Sequence, residues 1–186
     1  MSDNLVNLMD MDPDTLKEFL VAHGEKPFRA TQLLKWIYQY GVVDFDKMTN
    51  VKKESCALLK QIAYIKAPEI VTEQRSSDGT IKWALDVGDG QLVETVLIPE
   101  KDRNTLCIST QVGCPVKCSF CRTGKSGFNR NLKVHEIIGQ VWRAASRVGF
   151  SENKEQKPIS NVVMMGMGEP LLNVQNVLSV VKLLLS

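Results

Sequence analysis

The sequence predicts an α/β protein in three parts: a small helical unit, a few short antiparallel strands, and the opening βα units of a parallel sheet. Three observations carry this. Apolar residues recur at helical spacing between capping signals over the first sixty or so positions. From Glu69 the pattern changes to short strand-like runs separated by glycine-rich turns. Beyond residue 130 helical and strand patterns alternate, the order that builds a parallel sheet with crossover helices.

Asp12-Pro13 reads as an N-cap with proline at the first helical position, followed by Leu16, Phe19 and Leu20 and ended by Gly24. A second helix is expected over 27–40, with Leu33, Leu34, Trp36 and Ile37 apolar and Gly41 as its stop. A third begins at Thr49 or Asn50 and runs through Leu58, Leu59 and Ile62 toward Pro68, carrying Cys56 as a small buried hydrophobe. Residues 69–75, 80–87 and 91–98 read as strands of a small antiparallel sheet, with Ser-Ser-Asp-Gly and Gly-Asp-Gly turns between them. Residues 104–110 form the next strand. A helix over 133–148, a buried strand over 161–165 and a helix from Asn173 follow. The expected division is 1–66 helical accessory domain, 67–100 antiparallel extension, and 101–186 the first, incomplete part of a core domain.

With 44% hydrophobic and 24% charged residues the chain can bury a core and is not a disordered polymer. Its acidic N-terminus lacks the build of a signal peptide, and no apolar run approaches the ~20 residues that span a bilayer. The expectation is a cytoplasmic, reducing location with no membrane partner, which suits free thiols. The net charge of +2 hides an asymmetry. From Cys114 to Phe150 seven basic residues stand against Glu136 alone, so that segment carries +6 and the remainder −4. A basic patch fits a phosphate-rich partner, and a solvated helix face is the equally weighted alternative.

Cys114, Cys118 and Cys121 are spaced C-x3-C-x2-C. An electron-transfer [4Fe–4S] cluster takes four cysteines, so three leave one iron open to bind a substrate or cofactor. A structural zinc site would need a fourth ligand; Cys107 could supply one, but it lies in a strand-like run with no histidine nearby. The open iron–sulfur cluster is the favoured reading. Gly168-Glu169-Pro170 follows the strand at 161–165, where glycine permits close backbone approach and a carboxylate can pair with an ammonium group.

The run NTLCISTQVGCPVKCSFCRTGKSGFNRNL, with VETVLIPE before it and MMGMGEPLLN after it, resembles the RlmN/Cfr family of radical S-adenosylmethionine (SAM) methyltransferases. The segment KPFRATQLLKWIY is similar to that family's N-terminal accessory module. The resemblance implies a (βα)6 partial barrel whose cluster loop follows its first strand. Only two of six units fit here, and the chain stops in an apolar helical run at Ser186, so the expectation is the N-terminal portion of a longer enzyme.

By the same resemblance Cys114, Cys118 and Cys121 would hold a [4Fe–4S] cluster, and Gly168 and Glu169 would bind SAM. Glu94 would be the acid/base carboxylate beside the target base. Cys107 would resolve a covalent enzyme–RNA intermediate by a transient disulfide with a methyl-carrying cysteine lying beyond these residues. The implied reaction methylates C2 of an adenosine in 23S rRNA, and in tRNA next to the anticodon, through that methylated cysteine. An electron donor such as a flavodoxin would supply the reducing electron, and the enzyme is expected to be a monomer. A C8-methylating enzyme of the Cfr type is the close alternative, and a non-enzymatic, metal-stapled RNA-binding module the distant one.

Taken singly, these residues say less. Glu94 could be a solvent-facing strand carboxylate and Cys107 a buried strand cysteine. His23 and His135 show no partners. Phe28, Trp36, Tyr38 and Tyr40 read as helical core rather than a base-stacking platform.

Overall fold

The computed structural model describes residues 5–101, 103–150 and 158–186; the first four residues of the acidic N-terminal stretch lie outside it. The chain opens with β1 (Val6–Asn7), a 3-10 turn at Leu8–Asp10 and α1 (Pro13–Ala22). The Asp12 carboxylate accepts the Thr15 N–H at 2.9 Å, so the expected cap and proline start are both present. α2 (Arg29–Tyr38) and α3 (Lys53–Ile62) complete the helical unit, with Leu16, Leu20, Leu33, Ile37 and Leu59 fully buried among them. Cys56 is buried on α3 and its thiol donates to the Phe45 carbonyl at 3.3 Å.

Two expectations fail here for physical reasons. α3 starts at Lys53 rather than at Thr49 or Asn50, because the Asn50 side chain accepts from the Trp36 indole at 2.6 Å instead of capping. Phe28 is not core: it is 53% exposed, with the Arg29 guanidinium 5.3 Å from its ring centre. β2 (Ala63–Tyr64), pairing parallel to β1, has no counterpart in the sequence pattern, since two-residue strands leave no alternation to read.

β3 (Glu69–Arg75), β4 (Ile81–Asp86), β5 (Leu92–Pro99) and β6 (Asn104–Cys107) run antiparallel in succession. Next come β7 (Gln111–Gly113), α4 (Arg122–Lys125), β8 (Phe128–Asn131), α5 (Val134–Val148), β9 (Asn161–Val163) and α6 (Val174–Leu185). β9 returns parallel to β6, so the expected meander and the expected parallel pair form one five-stranded sheet, ordered β3-β4-β5-β6-β9. β7 and β8 pair separately. The strand expected over 104–110 ends at Cys107, because the following residues bond instead to the loop after β9: Gly166 N–H to Ile108 O at 3.0 Å and Thr110 N–H to Met167 O at 2.8 Å. β9 itself is half-buried rather than buried, as befits the edge strand of the sheet.

The sheet has a covered face and an open one. Trp83, Leu85, Val93, Thr95, Leu97 and Leu106 are buried on the first. α5 crosses that face and sends the fully buried Gln140 into it, where Gln140 accepts from the Thr95 hydroxyl at 2.7 Å and from Ser109 N–H at 2.8 Å. Side chains alternate along a strand, so Glu94 and Val96 stand on the opposite face. Lys82, Cys107 and Val163 share it by register.

The helical unit docks on α5 and α6. Asp10 accepts the His135 N–H at 2.9 Å and faces its Nδ1 at 2.7 Å, the Trp142 indole donates to Ile37 O at 2.8 Å, and Lys182 reaches Asp12 and Asp14 at 3.1 Å each. His135 therefore has a partner, contrary to the sequence reading: it comes from 125 residues away, beyond the reach of local pattern. His23 faces the Phe19 carbonyl one turn back. Among the described residues no helix is long and apolar enough to cross a membrane.

Candidate functional site

β6 and β9 are parallel neighbours, and each hands its chain to a loop at its C-terminal end. That edge of a parallel sheet is where α/β folds assemble ligand sites. The first loop leads through Ile108–Gly113 to the cysteines; the second is Met-Gly-Met-Gly168-Glu169-Pro170.

The cysteine loop is shaped by backbone. Gly113 lies at φ +76°, and a Cβ there would sit 1.8 Å from the Gly127 carbonyl oxygen. Only glycine lets the loop close against the start of β8. Cys114 N–H then donates to Gly127 O at 3.0 Å, and Cys121 N–H to Cys118 O at 3.0 Å. Lys117 adopts φ +55°, unusual for a side-chain-bearing residue, and turns the chain between Cys114 and Cys118.

All five cysteines are free thiols; Cys114 is buried, while Cys118 and Cys121 are half-exposed. Bonding from the Gly124 amide, with smaller help from Thr123, outweighs burial and holds the Cys121 thiol below its usual range, which favours the thiolate. Lys117–Ser119 and Gly124–Gly127 line an open concavity of about 510 Å³ beside Cys118. Among the described residues no three His, Cys, Asp or Glu side chains converge closely enough to hold a metal ion. The donor set still fits an iron–sulfur cluster in kind: three free thiols on one eight-residue loop, one of them biased toward thiolate.

The second loop packs directly against the first. Gly168 has φ +101°, and a Cβ on it would lie 2.6 Å from Gln111 Cβ. Glu169 N–H donates to Gln111 Oε1 at 2.9 Å, while Glu169 Oε1 accepts from Leu171 N–H at 3.1 Å and caps the 3-10 turn Pro170–Asn173. The buried Asn173 amide donates to Thr110 O and Leu132 O at 2.8 Å each, tying the turn to both strands of the cysteine hairpin's base.

Glu94 and Cys107 stand on the open sheet face. Glu94 is exposed and pairs with Lys82 at 3.0 Å. Its backbone carbonyl accepts the Ser109 hydroxyl at 2.7 Å, and the same hydroxyl accepts from Met167 N–H at 2.9 Å. Cys107 is half-buried; burial, only partly offset by the Met165 N–H, pushes its thiol up. The structure thus brings the cysteine loop, Gly168 and Glu169 together at one end of β6 and β9. It sets Glu94 and Cys107 on the face beside them.

The basic segment is less available than its charge suggests. Arg130 is spent internally: its two terminal guanidinium nitrogens donate to the Glu136 carboxylate, at 2.7 and 2.8 Å, and one also reaches Val87 O. Arg143 bonds Pro68 O, Ala67 O and Glu69, and Arg147 lies 3.8 Å from Glu73. Lys117, Arg122, Lys125 and Lys133 are exposed, all on or next to the cysteine hairpin.

Sequence reasoning missed Ser109, Gln111, Asn131 and Gln140, which join these parts. A signal existed. Ser109 and Gln111 interrupt an apolar strand run, and polar side chains that such a run buries need partners.

Two comparisons bear on this arrangement. Residues 6–65 match the ribosomal RNA large subunit methyltransferase N-terminal domain. The chain is also similar to the crystal structure of a radical SAM methyltransferase from Sphaerobacter thermophilus. The two share 40% sequence identity and a TM-score of 0.83 over 97% of this chain and 52% of that one. The chain thus spans about half the length of that relative. Both matches are to proteins described as methyltransferases, one over the N-terminal residues and one, a radical SAM enzyme, over nearly the whole chain.

Proposed function

We propose that this chain is the cofactor-binding half of a radical SAM enzyme that methylates C2 of an adenosine in large-subunit rRNA, and in tRNA. The observation that carries the reading is the direct packing of the C-x3-C-x2-C loop on the Gly168-Glu169 loop, at the C-terminal ends of two parallel strands. The match of residues 6–65 to a domain described for rRNA large subunit methyltransferases supports RNA as the substrate class.

In this reading Cys114, Cys118 and Cys121 hold a [4Fe–4S] cluster, and Gly168 and Glu169 bind the amino group of SAM. When bound, cluster and SAM supply the one-electron chemistry that methylation of an electrophilic sp2 carbon demands. The chain's residues do the rest. Glu169 Oε1 caps the turn, and its other carboxylate oxygen, which bonds nothing among the described residues, would take an ammonium group. Glu94 faces the open side of the sheet and takes the proton that must leave C2, a role that needs a base in direct or one-water reach. Lys82, 3.0 Å away on the same face, is its ion-pair partner. Cys107 as thiolate attacks the thioether sulfur of a cysteine outside these residues; the C–S bond to the RNA-borne carbon breaks, that carbon takes the electron pair and a proton to become the methyl group, and a disulfide remains. Lys117, Arg122, Lys125 and Lys133 offer the phosphate backbone four exposed cations.

NMR of the nucleoside produced by the full-length enzyme tests the regiochemistry. Loss of the adenine H2 signal with H8 retained is expected. The converse assigns the C8 reaction.

A further inference from the structure

Four hydrogen bonds close a ring around the turn that follows the second loop. Gln111 Nε2 donates to Asn131 Oδ1 at 2.8 Å, and Asn131 Nδ2 to Leu172 O at 3.2 Å. Leu172 N–H donates to Glu169 O at 3.0 Å, and Glu169 N–H to Gln111 Oε1 at 2.9 Å. The ring has a fixed polarity. A backbone donor at Glu169 demands the Gln111 oxygen, which turns the Gln111 amide nitrogen toward Asn131. The Asn131 oxygen must then accept, leaving its nitrogen for the Leu172 carbonyl. Only one orientation of each amide satisfies every member, so the two side chains are locked rather than merely adjacent.

Gln111 is 1% exposed, so each unmade bond would leave a buried polar group without water. It is also three residues ahead of Cys114 on β7, and its Cβ and N fill the space that Gly168 leaves by lacking a side chain. One side chain, on the strand that leads into the cysteine loop, therefore touches both β8 and the Gly168-Glu169 loop.

We propose that Gln111 is a positioning residue that sets the Gly168-Glu169 loop relative to the cysteine loop, with Asn131 as its second support; this rests on the SAM-binding role given to Gly168 and Glu169 above. The cysteines keep their own backbone anchors at Gly127 and Cys118, so the ring governs SAM binding and not cluster uptake.

The test uses full-length enzyme, reconstituted anaerobically, with Gln111→Met, Gln111→Glu, Asn131→Ala and the Gln111→Met/Asn131→Ala double variant. Iron content and thermal midpoint are measured first, then the SAM dissociation constant. Wild-type iron content with SAM binding weakened about ten-fold is expected for Gln111→Met, in line with outer-shell supports elsewhere. Gln111→Glu, which can still accept from Glu169 N–H, should fall between wild type and Gln111→Met. The double variant should be little worse than Gln111→Met, because both remove links of one ring. In cofactor-free protein, amide exchange over 166–172 should quicken about ten-fold in Gln111→Met, reporting the lost protection of Glu169 N–H. Asn131 is exposed, so Asn131→Ala keeps the test open if Gln111→Met does not fold. Unchanged SAM affinity, additive effects, or iron content falling in step with SAM affinity would overturn the positioning role. Wild-type enzyme that binds neither iron nor SAM would instead overturn the functional reading beneath it.

Discussion

Glu94 and Cys107 are diagonal neighbours on the open face of the sheet: Val96, two residues beyond Glu94 on β5, is the register partner of Cys107 on β6. Diagonal pairs in an antiparallel ladder lie roughly 7–8 Å apart, a span that one flat base placed over the face can bridge. In the proposed function, a proton acceptor and a nucleophilic thiol so arranged would act on the same nucleotide in successive steps.

Glu94→Gln in the full-length enzyme should leave iron content and SAM binding intact and lower methylated product at least about 100-fold, the lower range for a lost general base. Mass spectrometry of digested RNA reads the yield. Product at wild-type level would reduce Glu94 to the partner of Lys82.

Cys107→Ala should stall after addition to RNA and accumulate a covalent protein–RNA adduct, seen as a ribonuclease-sensitive slow band on a denaturing gel. Burial raises the wild-type thiol above its ordinary range, so near neutrality it is mostly protonated. Attack requires the thiolate, so adduct release should quicken about ten-fold per pH unit until the pH passes the raised pKa. A flat profile between about pH 7 and 9 would contradict this.

The basic residues divide into two groups. Replacing Arg122, Lys125 and Lys133 by alanine should flatten the salt dependence of RNA binding, by about 0.7–0.9 in log–log slope for every phosphate no longer neutralised, with stability kept. Arg130→Ala should act on folding instead, costing about 3 kcal/mol because the buried Glu136 carboxylate loses its cation. Denaturant unfolding and binding isotherms on the same variants separate the two effects.

Docking of the helical unit should be acid-sensitive. Burial would raise the Asp10 pKa, but the His135 bonds and nearby Lys133 outweigh it and hold the carboxyl below its ordinary value. A depressed carboxylate stabilises fully above its unfolded pKa of about 3.9 and loses this as pH falls through the folded value. Asp10→Asn should therefore cost about 1 kcal/mol near neutrality, the gap closing below about pH 4. Thermal midpoints of both proteins from about pH 2 to neutrality check the sign.

Local chemistry made much of this molecule readable in advance. Asp12-Pro13 capped α1, glycine turns bounded β3 to β5, and the cysteine spacing and Gly168-Glu169 pointed to two loops that do meet. What stayed hidden depends on distant partners. Nothing near His135 announces Asp10, nothing near Arg130 announces that the Val87 carbonyl, 43 residues away, will accept from it, and the join of β5 to β6 follows from tertiary pairing. The Gln111–Asn131–Glu169 ring spans 58 residues of sequence and has no periodicity to betray it.

The most direct measurement is anaerobic iron–sulfur reconstitution of the full-length protein, with iron analysis and the absorbance or electron paramagnetic resonance response to SAM. The account predicts about four irons per chain, a spectral change on adding SAM, and loss of both in Cys118→Ala. Tight zinc in place of iron, or a loaded cluster indifferent to SAM, would contradict it.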